Sequence, residues 1–378
     1  MRKKALSMLE IKEVTNKKDL KQFVNLPYEL YKGNKYWVPP IKKDELKQWD
    51  AKTNPAYEFC DVKLWIVTEN GKVKGRIAAI INHLYNEKVK EKYGRFSRIE
   101  FVDDERVSSL LLQTAESWLK EQGMTKVHGP LGFTNLDTQG LLIEGFEELQ
   151  SIASVYHLPY YKEHIEKQGY TKEVDWVEYH LRFNEKVLER GKRGAALLKR
   201  RFGLEVKSFS EKKELEKYAG KIFEILNPAF ESLHYVVPLN KKMQEMYKNK
   251  YLPLLDPRFV FMVKDKEKIV GFVIGLPSLS KALQKAKGSL YPFGILHIMN
   301  AYKHIEVLDL TLVGVLPEYH TKGVAVLLFD QIHQALAKIN VWDMETTGVL
   351  EDNDNVLNNW KNYENRLHKR RRCFVKTL

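Results

Sequence analysis

At 378 residues, with 44% hydrophobic and 29% charged residues, the chain is long enough for two cores and too apolar to be disordered. Its two cysteines, Cys60 and Cys373, are too few for a disulfide framework or a four-thiolate zinc site, which points to a reducing, cytoplasmic setting and to no structural metal. The formal charge of +13 implies attraction to a polyanion, whether nucleic acid, anionic lipid or a phosphorylated cofactor, and selects none of them.

The basic start Met1–Lys4 is followed by Glu10, Lys12 and Glu13 where a signal peptide needs an apolar core, so no export signal is read. No apolar run reaches the roughly 18 residues that span a bilayer, and attachment to a membrane surface stays open. Ile11–Leu20 reads as a short strand running into a helix capped by Asn16. After Tyr36-Trp-Val-Pro-Pro40 comes a hairpin, Trp65–Ile80, with Gly75 early in its second strand. Ile99–Val107 leads into a helix over 107–122 and carries Asp103, Asp104 and Glu105 at its approach. Gly129–Gly140 is polar and glycine-bearing, a loop and a candidate recognition element. Residues 185–205 predict a linking helix, in which Lys192, Arg193, Lys199, Arg200 and Arg201 surround Ala195–Leu198.

The pattern then repeats. Val206–Leu215, with Ser210 as its cap, matches Ile11–Leu20, and Tyr235–Leu239 echoes Tyr36–Pro40. Phe261–Leu276 aligns without gaps on Trp65–Ile80, placing Gly271 on Gly75. Matches in the same order argue for duplication, with domains at 1–184 and 206–378. Each half reads strand, helix, helix, hairpin, strand, helix, strand, helix, strand, a mixed α/β pattern that excludes a helical bundle and an all-β sandwich. Only the second half carries an insertion, residues 277–304, in which Leu279, Leu283, Tyr291–Leu296, Ile298 and Met299 mix with Lys281, Lys285 and Lys287.

The next strand, Val307–Val315, places Leu308, Leu310 and Leu312 on one face and Asp309, Thr311 and Val313 on the other. A turn through Gly323 then opens a helix over 326–338. Such a junction gathers unpaired backbone N–H groups and the positive end of a helix dipole, a site for a pyrophosphate. Gly323 has no Cβ to keep the backbone from close approach, and Ala325 is small. Trp342–Leu350 reads as a strand, Glu351–Asn353 opens a helix ending near Asn365, and Arg366–Lys376 is a basic final strand.

Val315-Leu-Pro-Glu-Tyr-His-Thr-Lys-Gly-Val-Ala325 resembles the acyl-CoA signature of the GNAT superfamily, whose core is Gln or Arg, two residues, Gly, one residue, then Gly or Ala. Gly323 and Ala325 match, while His320 replaces the Gln or Arg. The resemblance implies that backbone N–H groups of Thr321, Lys322, Gly323, Val324 and Ala325 cradle the pyrophosphate beside His320. It further implies that the main chain of Val313 and Val315 pairs with the pantetheine arm, and that Asn353 opens the later helix of the cofactor site. Acyl-CoA is then a co-substrate, with no permanently bound cofactor. The family's general-acid tyrosine lies seven positions after that asparagine; here the count lands on Trp360, and the nearest tyrosine is Tyr363. By the same resemblance the first half, which includes Tyr160–Tyr170, is a degenerate copy. Its Asp103, Asp104 and Glu105 lie where phosphates would and would repel them, leaving it scaffold and acceptor recognition.

N-acylation needs a positioned amine, a proton acceptor and donors for an oxyanion. Asp309 is the candidate base, with Glu345 and His234 as rivals, against the more common role of such a residue as a satisfied half-buried polar group. The backbone of Val313 or Val315 is the candidate oxyanion donor. The overall layout resembles a bacterial branch of tandem GNAT proteins that includes ceramide synthases. That implies a long-chain acyl-CoA or acyl carrier protein as donor, a sphingoid or other lipidic amine as acceptor, peripheral contact with the inner membrane face, and no nucleic-acid partner. The insertion would then be a lid over the acyl chain or a membrane-contacting flap, against a plain surface insertion. The competing expectations are a Fem-type transferase using aminoacyl-tRNA and a non-catalytic acyl-CoA-binding module; the intact turn at 323–325 argues against the latter.

Overall fold

The computed structural model describes residues 8–378; the basic start at 1–4 lies outside them. In chain order the first elements are β1 (Leu9–Glu13), α1 (Lys17–Leu30), α2 (Lys42–Gln48), β2 (Cys60–Glu69), β3 (Lys72–Asn82), α3 (His83–Val89) and β4 (Tyr93–Phe101). They continue through α4 (Glu105–Glu121), β5 (Lys126–Gly129), β6 (Leu141–Glu144), α5 (Tyr160–Lys167), β7 (Thr171–Arg182) and α6 (Glu185–Phe202). Then follow β8 (Leu204–Ser208), α7 (Lys212–Phe230), α8 (Lys241–Tyr251), β9 (Val260–Asp265), β10 (Lys268–Pro277), α9 (Ser280–Ala286) and α10 (Gly294–Lys303). The last are β11 (Leu308–Val315), α11 (Val324–Ala337), β12 (Asp343–Thr346), β13 (Val349–Leu350), α12 (Asp354–Leu357) and β14 (Glu364–Thr377).

The chain forms two compact units. One comprises the chain up to Trp176 with Leu283–Ile295 and Lys369–Leu378; the other comprises Val177–Ala282 with Leu296–His368. In the first unit, β1 to β4 form an antiparallel meander, β4 runs parallel to β5, and the end of the chain closes the sheet as Phe374–Thr377 pair with Lys126–Gly129. In the second, residues 177–182 of β7 lead the order β7-β12-β11-β10-β9-β8, antiparallel throughout except for the parallel pair β11–β12. Each unit therefore has one parallel pair, and a helix, α4 or α11, makes the crossover that a parallel pair requires. Both units have the mixed α/β architecture.

The glycine shared by the two hairpins has the same use in both units. A Cβ on Gly75 would lie 2.7 Å from Leu111 and Val107 of α4, and a Cβ on Gly271 would lie 2.6 Å from Val324 of α11. The crossover helix thus rests directly on the backbone of the second hairpin strand. Under α4 the core gathers Val67, Ile77, Ala79, Phe96, Phe101, Leu111, Leu112, Leu119 and Phe374. Helix α11 buries Val324, Leu327, Leu328, Ile332 and Leu336, and such side chains contribute roughly 1.5–3 kcal/mol each when fully buried.

Local signals act largely as their chemistry requires. Asn16 caps α1, its side chain accepting from Lys18 and Asp19 N–H. Asn184 caps α6, which ends at Gly203 in the left-handed conformation, so the segment expected to be helical is helical, and it lies wholly within the second unit. Ser210 does not cap: the N-cap of α7 is Glu211, without a side-chain bond, and Ser210 N–H instead donates to Glu214 at 3.4 Å. The single helix expected from 353 to 365 is also absent. Asn353 caps only the four-residue α12, a 3₁₀ turn covers Asn358–Asn362, and β14 starts at Glu364. Five asparagines in ten residues, 353–362, explain this, because their side chains compete for the backbone and disfavour helix interiors.

Among the described residues, no helix is long and apolar enough to cross a membrane. Part of the insertion is fastened within the first unit: Gln284 Nε2 donates to the carbonyls of Lys35 (2.8 Å) and Trp37 (3.0 Å), and Lys42 N–H donates to Gly288 O at 3.0 Å.

Candidate functional site

Strand β11 is regular for only part of its length. Its register with β10 slips between Ile274 and Gly275, so that Leu312 pairs Ile274 and Leu310 pairs Gly275, leaving Thr311 as a bulge whose hydroxyl donates to Ile274 O at 2.9 Å. The bulge corrects the simple alternation expected for this strand, since an extra residue on one side resets which face the following side chains occupy. On the other side, the parallel pairing with β12 runs only from Leu308↔Met344 to Leu310↔Thr346. There Thr347 ends it, its N–H donating to Leu310 O and its hydroxyl reaching the Leu310 and Thr311 carbonyls, each at 3.3 Å. Leu312–Val315, and with them Val313 and Val315, pair with β10 on one edge and lie beyond the β12 register on the other. Such an edge presents backbone donors and acceptors to an extended amide-bearing ligand.

The strand runs into a 3₁₀ turn, Pro317–Lys322, and then Gly323 at φ +72° and ψ 22°. This left-handed step swings the chain into α11, which has neither a side-chain N-cap nor an acidic residue in its first turn. Val326 and Leu327 N–H both donate to Gly323 O, at 3.0 and 3.3 Å; the N–H groups ahead of them have no intrahelical acceptor in an α-helix. His320 and Thr321 are exposed, Lys322 and Ala325 half-buried, and Val324 buried on Gly271. The His320 ring turns inward, with Nε2 3.1 Å from Val315 O, so it braces the turn. Lys322 Nζ lies 4.1 Å from the centroid of the Tyr319 ring, whose hydroxyl donates to Asp265 at 2.8 Å. Behind the turn, Leu198 of α6 fills the space where a Gly323 side chain would be. The last turn of α6 adds Lys199, Arg200 and Arg201.

The first unit is built the other way at the matching point. Its α4 is capped by Asp104, whose carboxylate accepts from Arg106 N–H at 3.0 Å and is held below the usual carboxylate range chiefly by its bonds to the Arg106 side chain. Asp103 receives His164 Nε2 at 2.9 Å, and His164 Nδ1 lies 2.8 Å from Ser108 Oγ. Ser108 is fully buried, so this Ser-His-Asp chain ties α4 to α5 and offers no nucleophile to solvent. A phosphate would meet carboxylates here and N–H groups at α11.

Of the four candidate catalytic side chains, two come together. Asp309, 1% exposed on β11, is in register with Glu345 on β12, and Glu345 is in register with His180 on β7. Register neighbours lie on one face of a sheet, so the three form a polar row across three strands. His180 also stands 3.6 Å from Asp343 and 6.3 Å, ring to ring, from the buried His368. Nothing in the local sequence marked His180; only strand order makes it a neighbour of the candidate carboxylates.

The other two sit elsewhere. Tyr363 hydrogen-bonds His333 of α11, hydroxyl to Nε2 at 3.0 Å. Burial raises the Tyr363 pKa and lowers that of His333 to about 4, so both are uncharged at neutral pH. His333 lies nine residues beyond Val324, about 13 Å along the helix from the turn at Gly323. His234 is exposed, with Nε2 3.4 Å from Asp352, and precedes the buried Tyr235, whose φ of +65° is rare for a residue with a side chain. Asn353 spends its side-chain oxygen on Val356 N–H at 3.4 Å, and Trp360, where the counted tyrosine would fall, is buried against Phe329.

No protein-family model matches the chain. In sequence it is 26% identical to Protein YghO of Escherichia coli (strain K12) over 382 aligned positions, covering 97% of this chain and 95% of that one. It is 27% identical to a bacterial ceramide synthase of Caulobacter vibrioides (strain NA1000 / CB15N) over 290 positions, covering 76% and 74% of the two chains. In structure it superposes on a tandem GNAT protein from the clavulanic acid biosynthesis pathway with a TM-score of 0.57, at 11% identity and 98% coverage of both chains. The repeated meander, the paired crossover helices and this superposition agree: the chain has the tandem GNAT fold, and in sequence it resembles a bacterial ceramide synthase.

Proposed function

We propose that the protein is an N-acyltransferase whose second unit binds an acyl-CoA and passes the acyl group directly to an amine. The observation that carries this reading is the contrast between the two crossover helices: α4 begins under its own carboxylates, whereas α11 begins at Gly323 with no side-chain cap. In this reading the N–H groups from Thr321 to Ala325 hold the pyrophosphate, and the free edge at Val313 and Val315 holds the pantetheine arm. The amine nitrogen attacks the thioester carbonyl, and a backbone N–H at Val313 or Val315 receives the oxyanion. The C–N bond forms, the C–S bond breaks, and coenzyme A leaves as thiolate. The surplus amine proton passes to the Asp309–Glu345 pair, and Tyr363, protonated at neutral pH, is the candidate donor to the thiolate. His234 is the remaining candidate, at the surface beside Asp352. The similarity to a bacterial ceramide synthase supports a long-chain acyl group and a sphingoid or other lipidic amine as substrates. The repeat boundaries 1–184 and 206–378 are retained as a proposal about duplication, with the first copy serving as scaffold and acceptor-recognition element.

Calorimetric titration of coenzyme A tests the binding half of this reading. Ala325→Glu is the better probe because it puts a carboxylate at the start of α11 without touching the left-handed position. Wild-type protein should bind and Ala325→Glu should not, while a matching change in the other unit, Arg106→Glu on α4, should leave binding intact. Equal affinity in wild type and Ala325→Glu would remove the proposed cradle.

A further inference from the structure

We infer that the insertion is a docking element for the surface of an anionic phospholipid bilayer. Ten large apolar side chains are exposed among the described residues, and five of them, Tyr291, Phe293, Ile295, Leu296 and Met299, fall within nine consecutive positions. Four of these are more than half exposed: Tyr291 79%, Phe293 68%, Leu296 57% and Met299 53%. They sit on and just before α10, which turns Gly294 and Ile298 inward and Ile295, Leu296 and Met299 outward, so the apolar surface is one helix face and its leading turn. Aromatic side chains at the head of a short apolar helix face suit the boundary between head groups and acyl chains.

The charge around this face selects the occupant. Residues 278–304 carry Lys281, Lys285, Lys287 and Lys303, together with His297 and His304, and no carboxylate at all. All four lysines are exposed; the first acid beyond the segment, Glu306, pairs with Lys281 at 2.5 Å and leaves the rest of the set uncompensated by the insertion itself. A second copy of the chain in a two-fold contact would bring the same lysines against each other, which repulsion opposes. A negatively charged lipid surface is attracted to them while the apolar face enters the interface; each lysine near such a surface contributes about a fivefold gain in partitioning, equivalent to ~1 kcal/mol. The inference stands on this segment alone and does not require the acyl-transfer reading.

Co-sedimentation of the full chain with phosphatidylcholine vesicles, with and without phosphatidylglycerol, reads it directly. The wild type should sediment with the phosphatidylglycerol vesicles, less so as salt is raised, and Phe293→Asp/Leu296→Asp should lose at least about tenfold in partitioning. Both positions are exposed, so this variant should keep its thermal transition. Lys285→Glu/Lys287→Glu should weaken binding to the anionic vesicles and leave the apolar face in place. Wild-type protein that ignores the anionic vesicles, or a Phe293→Asp/Leu296→Asp variant that sediments like wild type, would overturn the inference. So would a wild-type dimer in analytical ultracentrifugation that this variant dissociates. Because no substrate is present, failure here leaves the coenzyme A titration untouched.

Discussion

The turn at Gly323 makes a prediction whose size follows from two separable causes. Gly323→Ala forces a side chain into the left-handed region at φ +72°, which costs about 1–2 kcal/mol. It also places a Cβ 2.6 Å from Leu198 Cδ1 and 2.9 Å from Cδ2, an overpacking that costs about 1–3 kcal/mol. Gly323→Ala should therefore destabilise the protein by about 2–5 kcal/mol in urea unfolding. Leu198→Ala opens the crowded space but does nothing for the backbone, so it should relieve only the overpacking part. The double-mutant cycle should show a coupling of about 1–3 kcal/mol in the direction of rescue. Strict additivity would refute the packing of α6 on the turn, and full rescue would refute the backbone strain. The same four proteins, titrated with coenzyme A, should show affinity lost in Gly323→Ala and partly regained in the double variant.

Asp309→Asn should lower kcat by roughly 10²–10⁴-fold and flatten the rise of rate with pH, with KM for acyl-CoA little changed; a loss of only a few-fold would return Asp309 to a structural role. His333 folds uncharged with a pKa near 4, whereas the unfolded chain takes up that proton near 6.5, so its contribution is intact above about pH 6.5 and lost as the pH falls toward 4. The loss amounts to about 3 kcal/mol, and His333→Phe should narrow the gap between the melting temperatures at pH 7 and pH 5; an unchanged gap would contradict it. Direct transfer requires both substrates bound together, so initial-rate lines at several donor concentrations should intersect, whereas parallel lines would indicate an acyl-enzyme.

Much of the frame was legible because its signals are local. Asn16 announces a helix start by its own hydrogen bonds, and Gly75 and Gly271 stand out because a helix presses on each. The turn at Gly323 was legible as a structural element for the same reason: strand, left-handed glycine and helix are consecutive in sequence. What escaped depends on partners distant along the chain. His180 gains its place only because β7 lies beside β12, and Arg366–Lys376 reads as a strand without revealing that its end pairs with Lys126–Gly129. The bulge at Thr311 cannot be seen in a run that alternates cleanly, since the slip is a property of the pairing with β10. Tyr363 was found by counting along a helix that the asparagines do not sustain, and its partner His333 comes from another element.

The central claim, transfer of an acyl group from coenzyme A to an amine, is tested most directly by mass spectrometry of a reaction containing the protein, a long-chain acyl-CoA and a sphingoid base. The expected result is an N-acyl product formed together with one equivalent of free coenzyme A, abolished in Ala325→Glu. Absence of amide product with every acyl-CoA offered, or product that appears only when aminoacyl-tRNA is supplied, would contradict it.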